Sequence, residues 1–278
     1  DSNRCNVMVS GNRRSRLSLS VSRMRALRMA FESDGPVKVS KPTLHALKKR
    51  GLVDVEWRLT NSGKLEVVDR IDLEGQCGEL ELPLVDINTD PTESPERTAF
   101  EHFVGQGYKG AFCEGGAILT VLKAACLDTL ESLNPFLSRM DARTRFLEAQ
   151  FTILQHHKEE ILTAIRDVSR NKFLSNFSEI ISEPFINDCY PGLTVAFAAS
   201  FFEAVPRVLL AKVAEIFYRN PYVYRAGWPD ITMVKEREVE FVEVKTTDKL
   251  HRSQLLTILA FQGLFPGKFK VVRLRCMC

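Results

Sequence analysis

Asp230, Glu243 and Lys245, with Pro229 ahead of them, are the residues whose types and spacing suit phosphodiester hydrolysis. The run Ala226-Gly-Trp-Pro-Asp-Ile-Thr-Met-Val234 is followed by the polar stretch Lys235-Glu-Arg-Glu238 and then by Val239-Glu-Phe-Val-Glu-Val-Lys245. Two β-rich runs around a charged turn predict a hairpin. If Val234 and Val239 close it across a four-residue loop, paired positions sum to 473, and Asp230 stands opposite Glu243. Opposed side chains on one sheet face have Cβ atoms roughly 4.5–5.5 Å apart. The two-residue period puts Lys245 on that face and turns Val242 and Val244 to the other. Two carboxylates this close repel unless a cation lies between them, which points to a hard divalent ion, Mg2+ or Mn2+ before zinc. Such an ion polarises a phosphate and acidifies a bound water, and Lys245 would hold that water or neutralise developing charge. The same charges also fit an edge hairpin facing water, although a Pro-Asp at matched register a dozen residues upstream favours a site.

The neighbouring elements must aim these groups. After Lys245, Asp248 can cap a helix running to about Gly263, which places Gln254 where it can point back at the hairpin. Phe269–Arg275 reads as a strand. Lys249, Arg252 and Arg273 are the candidate DNA contacts. Upstream, Ser94 and Pro95 open a helix that stops at Gly105 or Gly107, and a second helix starts near Glu114 and runs to about Leu133. Gly115 and Gly116 would let a metal or phosphate approach closely, and the helix start favours anions. On its own, Glu114 also reads as a first-turn glutamate stabilised by the helix dipole.

These blocks resemble the PD-(D/E)xK nuclease superfamily, specifically its virus-type replication-repair nuclease branch. There Gly-x-Pro-Asp precedes a Glu-Val-Lys strand and a helix carrying Gln, which here are Gly227-Trp-Pro-Asp230, Glu243-Val-Lys245 and Gln254. Glu96-Arg-Thr-Ala-Phe-Glu-His-Phe-Val-Gly-Gln-Gly-Tyr-Lys-Gly110 followed by Phe112-Cys-Glu114-Gly-Gly narrows the likeness to the Fanconi-associated nucleases, over roughly residue 66 to the end. The resemblance implies that Glu114, Asp230 and Glu243, with the Val244 carbonyl, bind Mg2+ or Mn2+. It makes Lys245 the catalytic lysine, with Gln254 supporting the site. It implies a restriction-endonuclease-like α/β core, a mixed sheet flanked by helices, with a long helical insertion over about 139–225. It also implies a nuclear enzyme acting on branched or flapped DNA, as a 5′-flap endonuclease or 5′–3′ exonuclease in interstrand crosslink repair alongside crosslink-repair proteins. Thr246 stands where the family commonly has Gly, Ser253 where it has a basic residue, and Phe112 where it has His. The Ser253 departure bears on how a 5′ phosphate is anchored, with His251 and Arg252 adjacent; Phe112 bears on support of Glu114. A DNA-binding scaffold without turnover, or a dimeric junction-resolvase-like endonuclease, are the other readings.

The 278 residues, 45% of them apolar, can bury a sizeable core. Residues 1–64 hold 14 Lys or Arg against 5 Asp or Glu, leaving 24 basic against 30 acidic of the chain's 38 and 35. A basic arm for a phosphate backbone, or a solvated terminus, would both look like this. Residues 1–69 are therefore read as a basic region able to contact DNA, 70–95 as an acidic linker rich in turn formers, and 96–278 as the nuclease module. Within the first region, Ser40–Gly51 predicts a helix, and Val53–Leu59 with Leu65–Val68 a hairpin around Asn61-Ser-Gly-Lys, together a candidate winged helix.

Seven cysteines with no CxxC pair argue against a disulfide framework or a structural zinc site and suggest a reducing compartment. His156 and His157 point apart on a helix and make a poor shared metal site. Phe146, Phe151, Leu154, Ile161, Leu162 and Ile165 form the apolar face of a charged helical stretch. Leu193–Tyr218 predicts one buried helix, too interrupted by charges to span a membrane. There is no signal peptide, and the start at Asp1 suggests a cut from a larger parent.

Overall fold

A computed structural model describes residues 19–90, 94–134, 138–190 and 192–276. Positions 1–18 of the basic N-terminal region lie outside the described residues. The chain divides into two compact units, 1–67 and 68–278.

The first unit holds helices α1 (Val21–Glu32), α2 (Lys41–Lys49) and α3 (Asn61–Val68). They close on Leu27, Leu47, Val53 and Val67, with Trp57 packed at the edge. The hairpin expected at 53–68 does not form. Thr60 accepts the Gly63 and Lys64 amides through its hydroxyl and carbonyl, so Asn61-Ser-Gly-Lys becomes the first turn of α3. Only an isolated bridge joins Val53 to Leu59. The winged-helix reading therefore fails: two helices, α2 and α3, stand where a helix and a wing were expected.

The second unit is built on a five-stranded mixed sheet in the order β1-β5-β4-β3-β2. Its strands are β1 (Leu84–Thr89), β2 (Lys109–Phe112), β3 (Ile231–Lys235), β4 (Glu238–Lys245) and β5 (Phe269–Cys276). The pairs β1–β5 and β5–β4 are parallel, and β4–β3 and β3–β2 antiparallel. The unit also holds helices α4 (Leu73–Glu79), α5 (Pro95–Gly105), α6 (Gly116–Leu133) and α15 (Arg252–Phe261), of which α5 packs on β2, β4 and β5. The helical elements between β2 and β3 continue after α6 as α7 (Arg139–Thr144), α8 (Leu147–Ile153), α9 (Lys158–Asp167), α10 (Arg170–Ile181), α11 (Pro184–Cys189), α12 (Val195–Ala204), α13 (Arg207–Arg219) and α14 (Pro221–Tyr224).

One sheet face carries Met233, Val242, Val244, Val272 and Leu274 against Ala99 and Phe103 of α5. The other carries Phe241 and Phe269, stacked with ring centroids 4.8 Å apart, together with Trp228 and Phe261. Strand alternation produces this division.

Three expectations change here. The stretch 70–95 contributes α4 and the edge strand β1, because Leu84–Thr89 pairs in register with β5 and Asp86 binds Arg273. Leu193–Tyr218 is two helices, α12 and α13, broken at Val205-Pro206, since proline has no amide to continue the ladder. Phe146 is 50% exposed, whereas Phe151, Ile161, Leu162 and Ile165 are buried as read. Phe197 and Phe201 are core residues. No helix among the described residues is long and apolar enough to cross a membrane.

Candidate functional site

The β3–β4 hairpin forms in the expected register, with Ile231 opposite Val242 and Val234 opposite Val239. Its loop is shorter than expected. Lys235 also pairs with Glu238, and the two-residue turn Glu236-Arg237 has positive φ at both positions (50° and 67°), the geometry whose twist matches paired strands. Asp230 lies immediately before β3, and its Oδ2 accepts the Val244 amide at 2.8 Å. The side chain thereby continues the ladder beyond the last paired backbone residue.

Strand β2 adds Glu114. Phe112 pairs with Ile231, and two residues on, the Glu114 amide donates to the Asp230 carbonyl at 3.1 Å. Glu114 has φ 48°, a left-handed turn between β2 and α6, and its Oε1 accepts the Gly227 amide at 3.3 Å. Strands β4, β3 and β2 thus bring Glu243, Asp230 and Glu114 to neighbouring strand ends.

Glu243 and Lys245 are almost fully buried, at 1% and 6% side-chain exposure, and the ammonium lies 2.9 Å from Glu243 Oε1. Gln254 on α15 donates its Nε2 to that same oxygen. Its Oε1 accepts the His251 amide at 2.7 Å, so one side chain both caps the helix and holds Glu243. Helix α15 starts at Arg252 with His251 as its cap, replacing the expected cap Asp248, which instead lies 3.2 Å from His251 Nε2. Glu243 Oε2 is buried and makes no hydrogen bond.

Burial raises the Asp230 pKa to about 6, helped by the negative charge of Glu96 and opposed by the Val244 amide and Lys245. Burial, then the Asp230 charge, drives the Glu243 carboxyl well above its ordinary range, with Lys245 opposing. Glu96, in the first turn of α5, is thus a third acid, whose charge acts on Asp230. Its signal was its place in the first helical turn after Ser94-Pro95.

Among the described residues no three Asp, Glu, His or Cys side chains are grouped to hold an ion as they stand. The expected ligand set Glu114, Asp230 and Glu243 is therefore not assembled side chain to side chain, because the Glu114 carboxylate is taken up by Gly227. The donor chemistry still suits a hard divalent cation: the buried Glu243 carboxylate, with an orphaned oxygen, and the half-buried Asp230 carboxylate next to the Val244 backbone.

The loop before Asp230 is held from behind. Trp228 is buried and packs 4.5 Å from Phe261, its Nε1 donating to the Tyr224 carbonyl at 2.9 Å. Thr257 Oγ1 donates to the Ala226 carbonyl at 2.9 Å. Gly227 has φ 79°, and a Cβ there would overlap the Ser253 carbonyl, so only glycine lets the loop lie on the start of α15. The segment after β4 is held by Gln76, fully buried on α4, which accepts the Leu250 amide at 2.8 Å and donates to its carbonyl at 3.2 Å. Its position in the supposed linker hid that role.

Other expectations are placed differently. Lys249 Nζ donates to the Asp69 carbonyl at 2.6 Å, and Arg252 lies 3.3 Å from the Asp69 carboxylate. Arg273 binds Asp86 at 2.7 Å and also Glu74, which ties α4 and β1 to β5. Arg273 in turn holds the Glu74 and Asp86 carboxyls below their usual range. Gly115 and Gly116 are filled from within the protein: a Cβ on Gly115 would lie 2.8 Å from the Arg225 carbonyl, and one on Gly116 2.6 Å from the Tyr190 ring. They serve packing, not ligand access. His157 pairs with Glu160 at 2.9 Å.

Fold and site together define an α/β protein in which a mixed sheet with flanking helices presents a buried glutamate and lysine beside a half-buried aspartate. No family model matches the sequence, and no curated protein sequence matches it. Solved structures do share the fold. Crystal structures of paFAN1 bound to 5′ flap DNA with a gap superpose with TM-scores of 0.57 for the 2-nucleotide flap and 0.58 for the 1-nucleotide flap. Each is 18% identical and covers 92% of this chain and 49% of that one, so the chain spans about half the length of the structures it matches.

Proposed function

We propose that this chain is a metal-dependent, structure-specific DNA nuclease with a PD-(D/E)xK core, cutting 5′-flapped or branched DNA. The observation that carries the reading is the buried pair of Glu243 and Lys245 beside the half-buried Asp230, with an unsatisfied carboxylate oxygen on Glu243, on a fold shared with a protein crystallised on flap DNA. Asp230, Glu243 and the Val244 carbonyl would hold Mg2+ or Mn2+, with Glu96 adding negative charge that acts on Asp230. A divalent ion bound there supplies Lewis acidity towards the phosphate and lowers the pKa of a coordinated water. Lys245, inside hydrogen-bond reach of Glu243, would orient the attacking water and offset charge on the phosphate oxygens. Gln254 keeps Glu243 aimed, and burial keeps competing water out. Action near crosslinks, in the nucleus, with crosslink-repair partners, extends the same proposal.

The test is cleavage of an end-labelled 5′-flap duplex in Mg2+ or Mn2+, with chelator and Asp230→Ala as controls. Metal-dependent cutting lost in the variant is expected; equal cutting by the variant would overturn the assignment. Flap binding with no turnover in any divalent ion would favour a DNA-binding scaffold, a reading supported by the engagement of Glu114 with Gly227.

A further inference from the structure

We infer that Tyr222 and Arg225 form a platform for an unpaired nucleobase beside the carboxylate site. This rests on the DNA reading above and deepens it by naming a group that would hold one strand there.

The single turn α14 is anchored on its inner side. Pro221 is buried, the Tyr224 ring meets Phe261 edge-on at 5.4 Å, and the Tyr224 carbonyl accepts the Trp228 indole. Tyr222 is left pointing outward, 54% exposed. The Arg225 guanidinium lies over its ring, 5.6 Å from the centroid, and is held by Glu148 at 2.9 Å. The Glu148 side chain is only 6% exposed, so the bridge fixes the guanidinium firmly, while Arg225 keeps 32% of its own surface open. A pre-set ring and cation lose little conformational freedom on binding.

The place matters as much as the chemistry. The Arg225 carbonyl packs against Gly115, next to Glu114, and two residues after Arg225 the Gly227 amide binds the Glu114 carboxylate. A base resting on Tyr222 would therefore be held on the segment that leads directly into Asp230. Arg225 already has a carboxylate partner, so its charge is largely matched and a phosphate gains little there. A nucleobase offers instead a π-face that stacks on tyrosine and guanidinium planes whatever its sequence.

The experiment uses the full chain carrying Asp230→Asn to prevent turnover, in chelator, with 5′-flap DNA bearing 2-aminopurine at successive flap positions. At one position the fluorescence should be quenched on binding. Tyr222→Ala should weaken binding roughly tenfold and abolish the quench, while Tyr222→Trp keeps both. An abasic site at that position should make the parent and Tyr222→Ala bind equally. The inference is overturned if a folded Tyr222→Ala binds and quenches like its parent, or if its penalty persists wherever the abasic site is placed. Wild-type protein that neither binds nor cuts flap DNA defeats the nuclease reading as well. Wild-type cutting with Tyr222→Ala unaffected defeats the platform alone.

Discussion

Asp230 and Val244 are joined by a 2.8 Å hydrogen bond in which a side chain takes the place of the next backbone carbonyl in the hairpin ladder. The bond fixes Asp230 where β3 ends and β4 continues, and it holds a desolvated carboxylate next to Glu243. The folding cost of that placement is measurable. The carboxyl has a pKa of about 6 when folded against 3.8 ordinarily, so the unfolded chain gives up its proton first. Stability from this group is present below about pH 4 and lost as pH rises through about 6, a difference on the order of 3 kcal/mol. In chelator, Asp230→Asn should therefore be more stable than the wild type at pH 8, with the gap closing towards pH 4. Urea denaturation at a series of pH values measures it, and parallel pH curves would contradict the assignment. The carboxyls held low by arginine, such as Asp86 and Glu179, lose their contribution only at more acid pH and leave this window clear.

Lys245→Met tests catalysis apart from folding. Lys245 and Glu243 form a buried ion pair, and Glu243 can remain in place as a neutral acid hydrogen-bonded by Gln254. Flap cleavage should fall by about 100-fold or more, with the denaturation midpoint little changed. Retained cleavage would show that the ammonium is only structural.

Gln254→Glu separates two tasks of one side chain. The carboxylate can still accept the His251 amide and cap α15, but it cannot donate to Glu243. Single-turnover cleavage should drop while helix stability is kept. Gln254→Ala should lose both, with about 1 kcal/mol of stability removed by the lost cap. Identical kinetics for wild type and Gln254→Glu would remove Gln254 from the site.

Glu96→Gln removes the acid on α5 whose charge raises the Asp230 pKa. The Asp230 carboxyl should then titrate at lower pH in the metal-free protein, and more Mg2+ should be needed for half-maximal cleavage. Carboxyl-resolved NMR titration and metal-dependence curves check the two effects. An unchanged Asp230 titration would show that Glu96 is too far away to matter.

Gly227→Ala should be severely damaging. The added methyl meets the Ser253 carbonyl at a residue with φ 79°, so the loop must lift from α15 and carry Asp230 with it. Loss of both thermal stability and cleavage is expected; a variant with wild-type melting would show that the loop can shift at no cost.

The hairpin, its register and the helix bearing Gln254 were legible in the chain itself. Alternating apolar and charged residues around a turn admit one pairing that buries Val242 and Val244, and that pairing also lines up Asp230 with Glu243. Local pattern set these because the contacts span only a dozen residues. Asn61-Ser-Gly-Lys misled for the opposite reason: its turn-forming residues suit a helix start as well as a hairpin loop, and the choice is made by packing. Only the tertiary structure decided that the stretch around Leu84 is a sheet strand, that Gln76 grips Leu250, that Arg273 pairs with Asp86 and Glu74, and that the Glu96 charge acts on Asp230. Each of these joins residues more than a hundred positions apart. The energy that selects them comes from burial and charge pairing across the folded chain, which no local spacing encodes.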